Sequence, residues 1–276
     1  MNKVLIAGAD SYIGESFKRY MAQWPEEYSV DVIGTKGLEP KPETFKGIDV
    51  IFCVAGIAHI KETLENRHLY FDVNRDLVAE IAKAAKAAGV KQFILLSSMS
   101  VYGLEVGHIT KDMEPHPISA YGQSKAEADE EIKKIADESF IFTCLRPPMV
   151  YGKNCTGNYQ ALRRFALKSP IFPDYSNQRS MIYIGNLCEF VKGCIDDKRR
   201  GLFFPQNAEY TNTSDMVKRI AQEHGKKIRL TKAFNWAVKI CGLKVVKKVF
   251  GSLTYEQCDV VDRYSCAESI RLSELE

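Results

Sequence analysis

Short apolar runs alternate with helical stretches over the first half of the chain, and that alternation constrains the fold more than any other feature. "KVLIAGAD" ends in a glycine turn, and "YIGESFKRYMAQW" follows with Ile13, Phe17, Tyr20 and Met21 at helical spacing. "YSVDVIG" and "IDVIFCVAG" read as the second and third strands. "NRDLVAEIAKAAKAAG" is rich in Ala, Lys and Glu and reads as a helix capped by Gly89. "VKQFILLSS" is a fourth strand, "AEADEEIKKIAD" continues a helix begun near Tyr121, and "SFIFTCLRPP" is a fifth strand closed by two prolines. Strands that are apolar throughout belong to a sheet covered on both faces. The alternation therefore predicts an α/β protein with a doubly wound parallel sheet.

After Pro147 the pattern weakens. "YGKNCTGNYQALRRFALKSP" reads as loop and helix, "RSMIYIGNLCEFVKGCI" as a short strand and helix, "LFFPQN" as a late strand, and the chain from Ala208 onward as mostly helix and loop. This divides the chain into a nucleotide-binding domain, 1–148 with 181–206 returning to it, and a small discontinuous lobe of 149–180 and 207–276. At 276 residues with 45% hydrophobic and 26% charged residues, such a chain buries a sizeable core without disulfides or a structural metal. A net charge of +3 does not argue for nucleic acid. The eight cysteines form no CxxC pair and several sit in apolar runs, so free buried thiols, no metal site and a reducing cytoplasm are expected. "MNKVLIAGAD" is too short an apolar run for a signal peptide, and no segment reaches membrane-spanning length.

The glycines of "GADSYIG" stand directly after a strand and open a helix. That context lets backbone amides and a helix N-terminus meet a pyrophosphate. Gly8, Ser11, Tyr12, Ile13 and Gly14 are the candidate contacts, with Ser11 standing where a middle glycine is often found. The alternative is a plain strand-to-helix turn. The acid that would bind an adenosine ribose is missing at the end of the second strand, where Gly34, Thr35 and Lys36 stand and Asp31 comes too early. Thr35 and Lys36 are candidate cofactor contacts; Lys36 either meets a 2'-phosphate, which favours NADP, or is a solvated lysine. NAD and NADP both stay open.

Of 13 tyrosines only Tyr121 is followed four residues later by a lysine, Lys125, which puts both on one helical face. Ser98 lies at the C-terminal end of the fourth strand, the edge that faces the ligand crevice of an open parallel sheet. The three can converge there.

In order, "GADSYIG", "DVIFCVAGIAH", "LLSSMSVYG", "YGQSK" and "LRPPMVYG" resemble the extended short-chain dehydrogenase/reductase family. More narrowly the chain is similar to the NAD-dependent epimerase/dehydratase branch that acts on nucleotide sugars. The resemblance covers essentially the whole chain, including "NQRSMIYIGNLCEFV" and "ESIRLSELE". It implies a Rossmann sheet, an NAD or NADP cofactor with NAD the commoner in the family, and catalysis by Ser98, Tyr121 and Lys125. It further implies cofactor contacts from Val54, Ala55, Gly56, Asn74, Tyr121, Lys125, which would hold the nicotinamide ribose, and Pro148, and substrate contacts from Ser98, Met99, Ser100, Asn158 and Arg179. The phenol of Tyr121 would be made acidic by the adjacent Lys125 ammonium and take a proton from a sugar hydroxyl. Arg179 would grip a nucleotide diphosphate, or else form a salt bridge between lobes; Asn158 would line the same pocket, or else cap its helix.

Two departures from the family pattern stand out. The link from Lys36 to Gly47 is too short for the helix and strand that many relatives insert there, and Met149 replaces an asparagine that galactose epimerases use on substrate. Sugar dehydratases of the family carry an Asp-Glu pair where this chain has Met99 and Ser100, so elimination of water is not expected. A UDP-sugar 4-epimerase is the first expectation, a keto-sugar reductase the second, and a cofactor-binding sensor without catalysis the third. The basic stretch 226–250, with Phe234, Trp236, Ile240, Leu243, Val246 and Phe250, is either a helical segment with a solvated basic face or a peripheral membrane contact for a lipid-linked sugar. The oligomeric state stays open, with a homodimer as one assembly.

Overall fold

The computed structural model describes residues 1–58, 60, 62–240 and 244–275. His59 of the "DVIFCVAGIAH" stretch, Cys241 and Leu243 of the tail, and the final Glu276 lie outside the described residues. The chain forms two compact units, 1–103 with 114–147 and 188–204, and 104–113 with 148–187 and 205–276.

The first unit is built on six parallel strands: β1 (Asn2–Ala7), β2 (Tyr28–Ile33), β3 (Val50–Cys53), β4 (Gln92–Leu96), β5 (Ile141–Leu145) and β6 (Gly201–Phe203). Their order across the sheet is β6-β5-β4-β3-β1-β2. Residues 36–47 hold short turns, one of them at Pro42–Phe45, and no strand, and among the described residues β2 is the edge of the sheet.

Register explains why the strands read as continuous apolar runs. Leu5, Ile51, Phe93 and Phe142 stand side by side on one face, with Ala7, Cys53, Leu95 and Cys144 in the next row. Val78, Ile81, Ala82 and Ala85 of the helix Leu77–Ala87 cover that face together with Ala128 and Ile132 of the helix Ala120–Ile135. The opposite face carries Ile6 and Phe52, and Phe17 of the helix Tyr12–Met21 packs its ring edge-on to Phe52 with centroids 5.1 Å apart. Each such fully buried side chain contributes roughly 2–3 kcal/mol. Gly89 follows the helix Leu77–Ala87 at φ +86°, and the Val90 amide bonds the Ala85 carbonyl, a glycine-closed C-terminus as the sequence predicts.

The second unit uses short parallel strand pairs: Met149–Tyr151 with Met181–Tyr183, Ile171–Pro173 with Arg229–Thr231, Gly107–Ile109 with Leu253–Tyr255, and Gln206–Asn207 with Val260–Val261. The Glu274 carboxylate of the last helix is fully buried and ties the unit together. It accepts from Tyr159 at 2.7 Å and pairs with Arg163 and His224 at 2.6 Å. Among the described residues seven cysteines are free thiols; five are buried and Cys258 is exposed. No helix among them is long and apolar enough to cross a membrane.

Candidate active site

The sheet order reverses between β1 and β3, and ligands of such sheets sit past the C-terminal strand ends at that reversal. Gly8 follows β1 at φ +128°, tied to β2 by bonds from the Gly8 and Ala9 amides to the Ile33 carbonyl. A Cβ there would lie 2.9 Å from the Val54 side chain and 3.0 Å from the Ala55 amide nitrogen, so only glycine allows the turn to pass this close to the end of β3. Ser11 caps the helix Tyr12–Met21, its Oγ accepting from the Gly14 amide at 2.9 Å. Tyr12 and Ile13 open that helix, where first-turn amides have no carbonyl four residues back within the helix. Ser11 is therefore the cap of this helix, with its hydroxyl proton not used by that bond. Thr35 is half-buried and Lys36 exposed just beyond β2, while Asp31 points to solvent from within the strand.

Val54, Ala55 and Gly56 form the loop past β3, with Gly56 at φ +156°. A Cβ on Gly56 would lie 3.0 Å from Asn74 Oδ1 and 3.1 Å from Lys125 Nζ. Asn74, expected among the cofactor contacts, is fully buried behind this loop. Its Oδ1 accepts from the Ile57 amide at 2.8 Å, and its Nδ2 donates to the Ile57 carbonyl at 3.2 Å and Ser124 Oγ at 3.1 Å. With its amide engaged inside the protein, Asn74 holds the 55–57 loop in place. It sits in a π-helical stretch, Asp72–Asp76, that no hydrophobic pattern foretold; such stretches recur at functional sites.

Ser98 lies two residues past the end of β4, and Tyr121 and Lys125 lie one turn apart on the helix Ala120–Ile135. Ser98 caps a tight turn at Met99–Tyr102, its Oγ accepting from the Ser100 amide at 3.1 Å. Met99 is fastened by its amide to the Pro147 carbonyl at 3.1 Å, and no carboxylate stands at Met99 or Ser100. Ser119 caps the next helix, accepting from Gly122. Gly122 lets that helix approach, since a Cβ there would lie 2.5 Å from the Ser100 carbonyl oxygen. The Tyr121 ring meets the Tyr70 ring edge-on at 6.4 Å. Lys125 is 4% exposed and donates to the carbonyls of Leu96 at 2.9 Å and Ala55 at 3.2 Å. An ammonium has three protons, so one is left for a ligand oxygen.

Burial dominates the electrostatics of both groups in the chain without cofactor. Burial pushes the Tyr121 phenol above its ordinary 10.0; a hydrogen bond with Ser98 opposes this, and Asp129 and Tyr70 add to it. The Lys125 ammonium is turned to two carbonyls, and burial lowers its own pKa.

One turn beyond Lys125 lies a charge pair the sequence reading missed. Asp129 Oδ2 accepts from Arg146 Nε and Ser97 Oγ, both at 2.9 Å, and Arg146 also donates to the Tyr102 hydroxyl at 2.7 Å. Both charged side chains are under a tenth exposed. The signal was present: Asp129 follows Lys125 at helical spacing, and "CLRPP" places a charge within an apolar strand.

Pro148, Asn158 and Arg179 belong to the second unit. Pro148 is buried. Asn158 is exposed as the first residue of its helix, and Gly157 occupies the cap, so Asn158 does not cap it. Arg179 donates to the Gly251 carbonyl at 2.7 Å, and burial alone lowers its pKa. No carboxylate among the described residues pairs with it, which sets aside the salt-bridge alternative.

The glycine cradle, the capped helix start and the remaining Lys125 proton fit a dinucleotide: amides for its diphosphate, a close backbone, and a donor for a ribose hydroxyl. Comparison with known proteins agrees. The NAD dependent epimerase/dehydratase family matches residues 4–202. A UDP-glucose 4-epimerase of Vibrio cholerae is 30% identical over 239 residues, spanning 83% of this chain and 70% of that protein. The N-acetyl-alpha-D-glucosaminyl-diphospho-ditrans,octacis-undecaprenol 4-epimerase of Escherichia coli O157:H7 is 27% identical, spanning 82% of this chain and 74% of its own. The crystal structure of UDP-glucuronic acid 4-epimerase from Bacillus cereus in complex with NAD superposes with a TM-score of 0.77 over 99% of this chain and 96% of that one, at 17% identity, a likeness of fold. Strand order, glycine turn and family match agree, and the chain belongs to the NAD dependent epimerase/dehydratase family.

Proposed function

We propose that this protein is an NAD(P)-dependent 4-epimerase of sugars carried on a nucleoside diphosphate, with Tyr121 as its acid–base. The observation that carries this is the pairing of a half-buried Tyr121 with Ser98 and a buried Lys125 at the C-terminal edge of a sheet that bears a dinucleotide-type glycine turn. Gly8 to Gly14, Val54 to Gly56 and Lys125 hold the cofactor, which supplies a reversible hydride acceptor. Ser98 orients the reacting sugar oxygen, and Tyr121 takes its proton and later returns it. Without a carboxylate at Met99 or Ser100 there is no acid to expel water. Arg179, a half-buried guanidinium with no carboxylate on it among the described residues, is assigned to the substrate diphosphate.

A lipid-carried sugar diphosphate is the second substrate class, favoured by the exposed basic surface of the second unit and by the resemblance to the undecaprenol-linked relative. We further assign the protein to the cytoplasm, in keeping with its free thiols, and to a homodimer; light scattering at the mass of one 31.2 kDa chain removes the dimer.

Incubation with UDP-, dTDP- and GDP-sugars and a polyprenyl diphosphate sugar, with and without added NAD or NADPH, tests the function. Interconversion of C4 epimers with no net change in cofactor absorbance is expected. Stoichiometric consumption of NADPH identifies a reductase instead, and no turnover of any sugar leaves only a binding protein.

The phenol also gives a pH signature. In the chain alone Tyr121 titrates above 10.0, so the folded state loses stability as pH rises from 10.0 towards that higher value. A positive nicotinamide beside it favours the phenolate. Ultraviolet difference titration of wild type against Tyr121→Phe is expected to show tyrosinate forming at lower pH once oxidised cofactor is added. An unchanged midpoint refutes a phenol facing the ring.

A further inference from the structure

The functional reading leaves the basic stretch of the second unit unused. From residue 226 to 250 there are eight lysines and arginines and no aspartate or glutamate, so the rest of the chain carries an excess of acid. An ordinary solvated face mixes both signs. Lys226, Lys227, Arg229 and Lys232 are all exposed. None of them forms an ion pair among the described residues, and neither do Arg164 and Lys168, which are exposed on the helix Asn158–Lys168.

Strand pairing gathers these charges. Arg229 stands opposite Ile171, and Lys226 Nζ reaches the Leu167 carbonyl at 2.6 Å, so the end of the helix and the start of the basic stretch share one surface. Large apolar side chains are exposed in the same two segments. Phe165 is 45% exposed and Ile171 43%, and Trp236, soon after the paired strand, is 66% exposed. Phe165 is no fraying side chain: its ring packs on Phe172 at 5.1 Å, and Phe172 on Phe250 at 5.5 Å, which holds it half out of the core. Beside it opens a concavity of about 490 Å³ lined by Ala161, Arg164, Phe165, Lys168, Ser169 and Pro170.

We propose that this surface docks on an anionic phospholipid bilayer, its cations meeting lipid phosphates while Trp236, Phe165 and Ile171 enter the headgroup layer. Charge complementarity selects an anionic partner, and the protruding aromatic and aliphatic side chains select a bilayer over a nucleic acid, since Ile171 and Pro170 offer nothing to a phosphate or a base edge. Docking of this kind is peripheral, as no helix of the described residues spans a membrane. It stands independently of the epimerase reading and gives that reading a location.

Sedimentation of the full chain with vesicles tests it. Wild type is expected to pellet with phosphatidylcholine vesicles containing phosphatidylglycerol, to stay in solution with phosphatidylcholine alone, and to release at high salt. The triple variant Lys168→Glu, Lys227→Glu, Lys232→Glu is expected to bind at least about a hundredfold more weakly, given about fivefold for each basic residue at such a surface. Trp236→Ser is expected to weaken binding several-fold at unchanged charge. Both variants should keep wild-type melting and wild-type turnover of a soluble nucleotide sugar. Failure to pellet with anionic vesicles, equal pelleting with neutral ones, unchanged binding by the triple variant, or retention on single-stranded RNA in place of vesicles overturns the proposal. Vesicle binding as described with no sugar turned over by any protein leaves the docking surface standing and removes the epimerase reading alone.

Discussion

Tyr121→Phe lowers turnover of a nucleotide sugar by about 10²- to 10⁴-fold, the usual worth of a positioned proton-transfer group, while dinucleotide binding persists. The substitution removes one oxygen and nothing that holds the helix. Ser119 still caps it, Gly122 still lets it approach the Met99–Tyr102 turn, and the ring keeps its edge-on contact with Tyr70. Cofactor contacts assigned to the glycine turn and Lys125 do not involve the phenol. The variant therefore separates chemistry from binding: steady-state assay reads the first and calorimetric titration with NAD or NADP the second. Unaffected turnover removes Tyr121 as the acid–base. Lost binding with it shows that the phenol was serving the cofactor.

The parts of this arrangement that rest on local physics could be read from the chain. The central strands announce themselves because helices cover both faces, so Leu5 with Ile51 and Ile6 with Phe52 are apolar on alternate sides. Gly8 and Tyr121–Lys125 were legible for a similar reason, one from a turn only glycine can make and the other from a four-residue helical spacing. What escaped depends on partners distant in sequence. The two- and three-residue strands of the second unit are too short to show a period, and Gly107–Ile109 finds its partner near residue 254. Asn74 looks like any polar residue on a helix until the π-helical stretch turns its amide onto the 55–57 loop. The effect of burial on the Tyr121 phenol was not legible, because spacing shows that a lysine is near and not where its ammonium points. Here it points at Leu96 and Ala55.

Arg146→Met is expected to lower stability by about 3–5 kcal/mol, because it strands the Asp129 carboxylate in a site from which water is excluded. At about 2–4 °C per kcal/mol, thermal unfolding should move down by roughly 10 °C. The carboxylate already has one oxygen, Oδ1, without a hydrogen-bond partner, and burial already raises its pKa, so removing Arg146 favours the protonated acid further. The companion double variant, Arg146→Met with Asp129→Leu, should recover most of the loss, since replacing both charges of a buried pair by apolar groups is often near neutral. Activity should not recover with it. The pair joins the ends of β4, through Ser97, and β5, through Arg146, to the helix that carries Tyr121 and Lys125, and Asp129 is one of the charges that favour the Lys125 ammonium. A double variant that melts like wild type yet turns over sugar slowly, with the same KM for the nucleotide, shows the ion pair setting the geometry of Ser98, Tyr121 and Lys125. A double variant with full activity shows that hydrophobic packing alone holds those three residues in place.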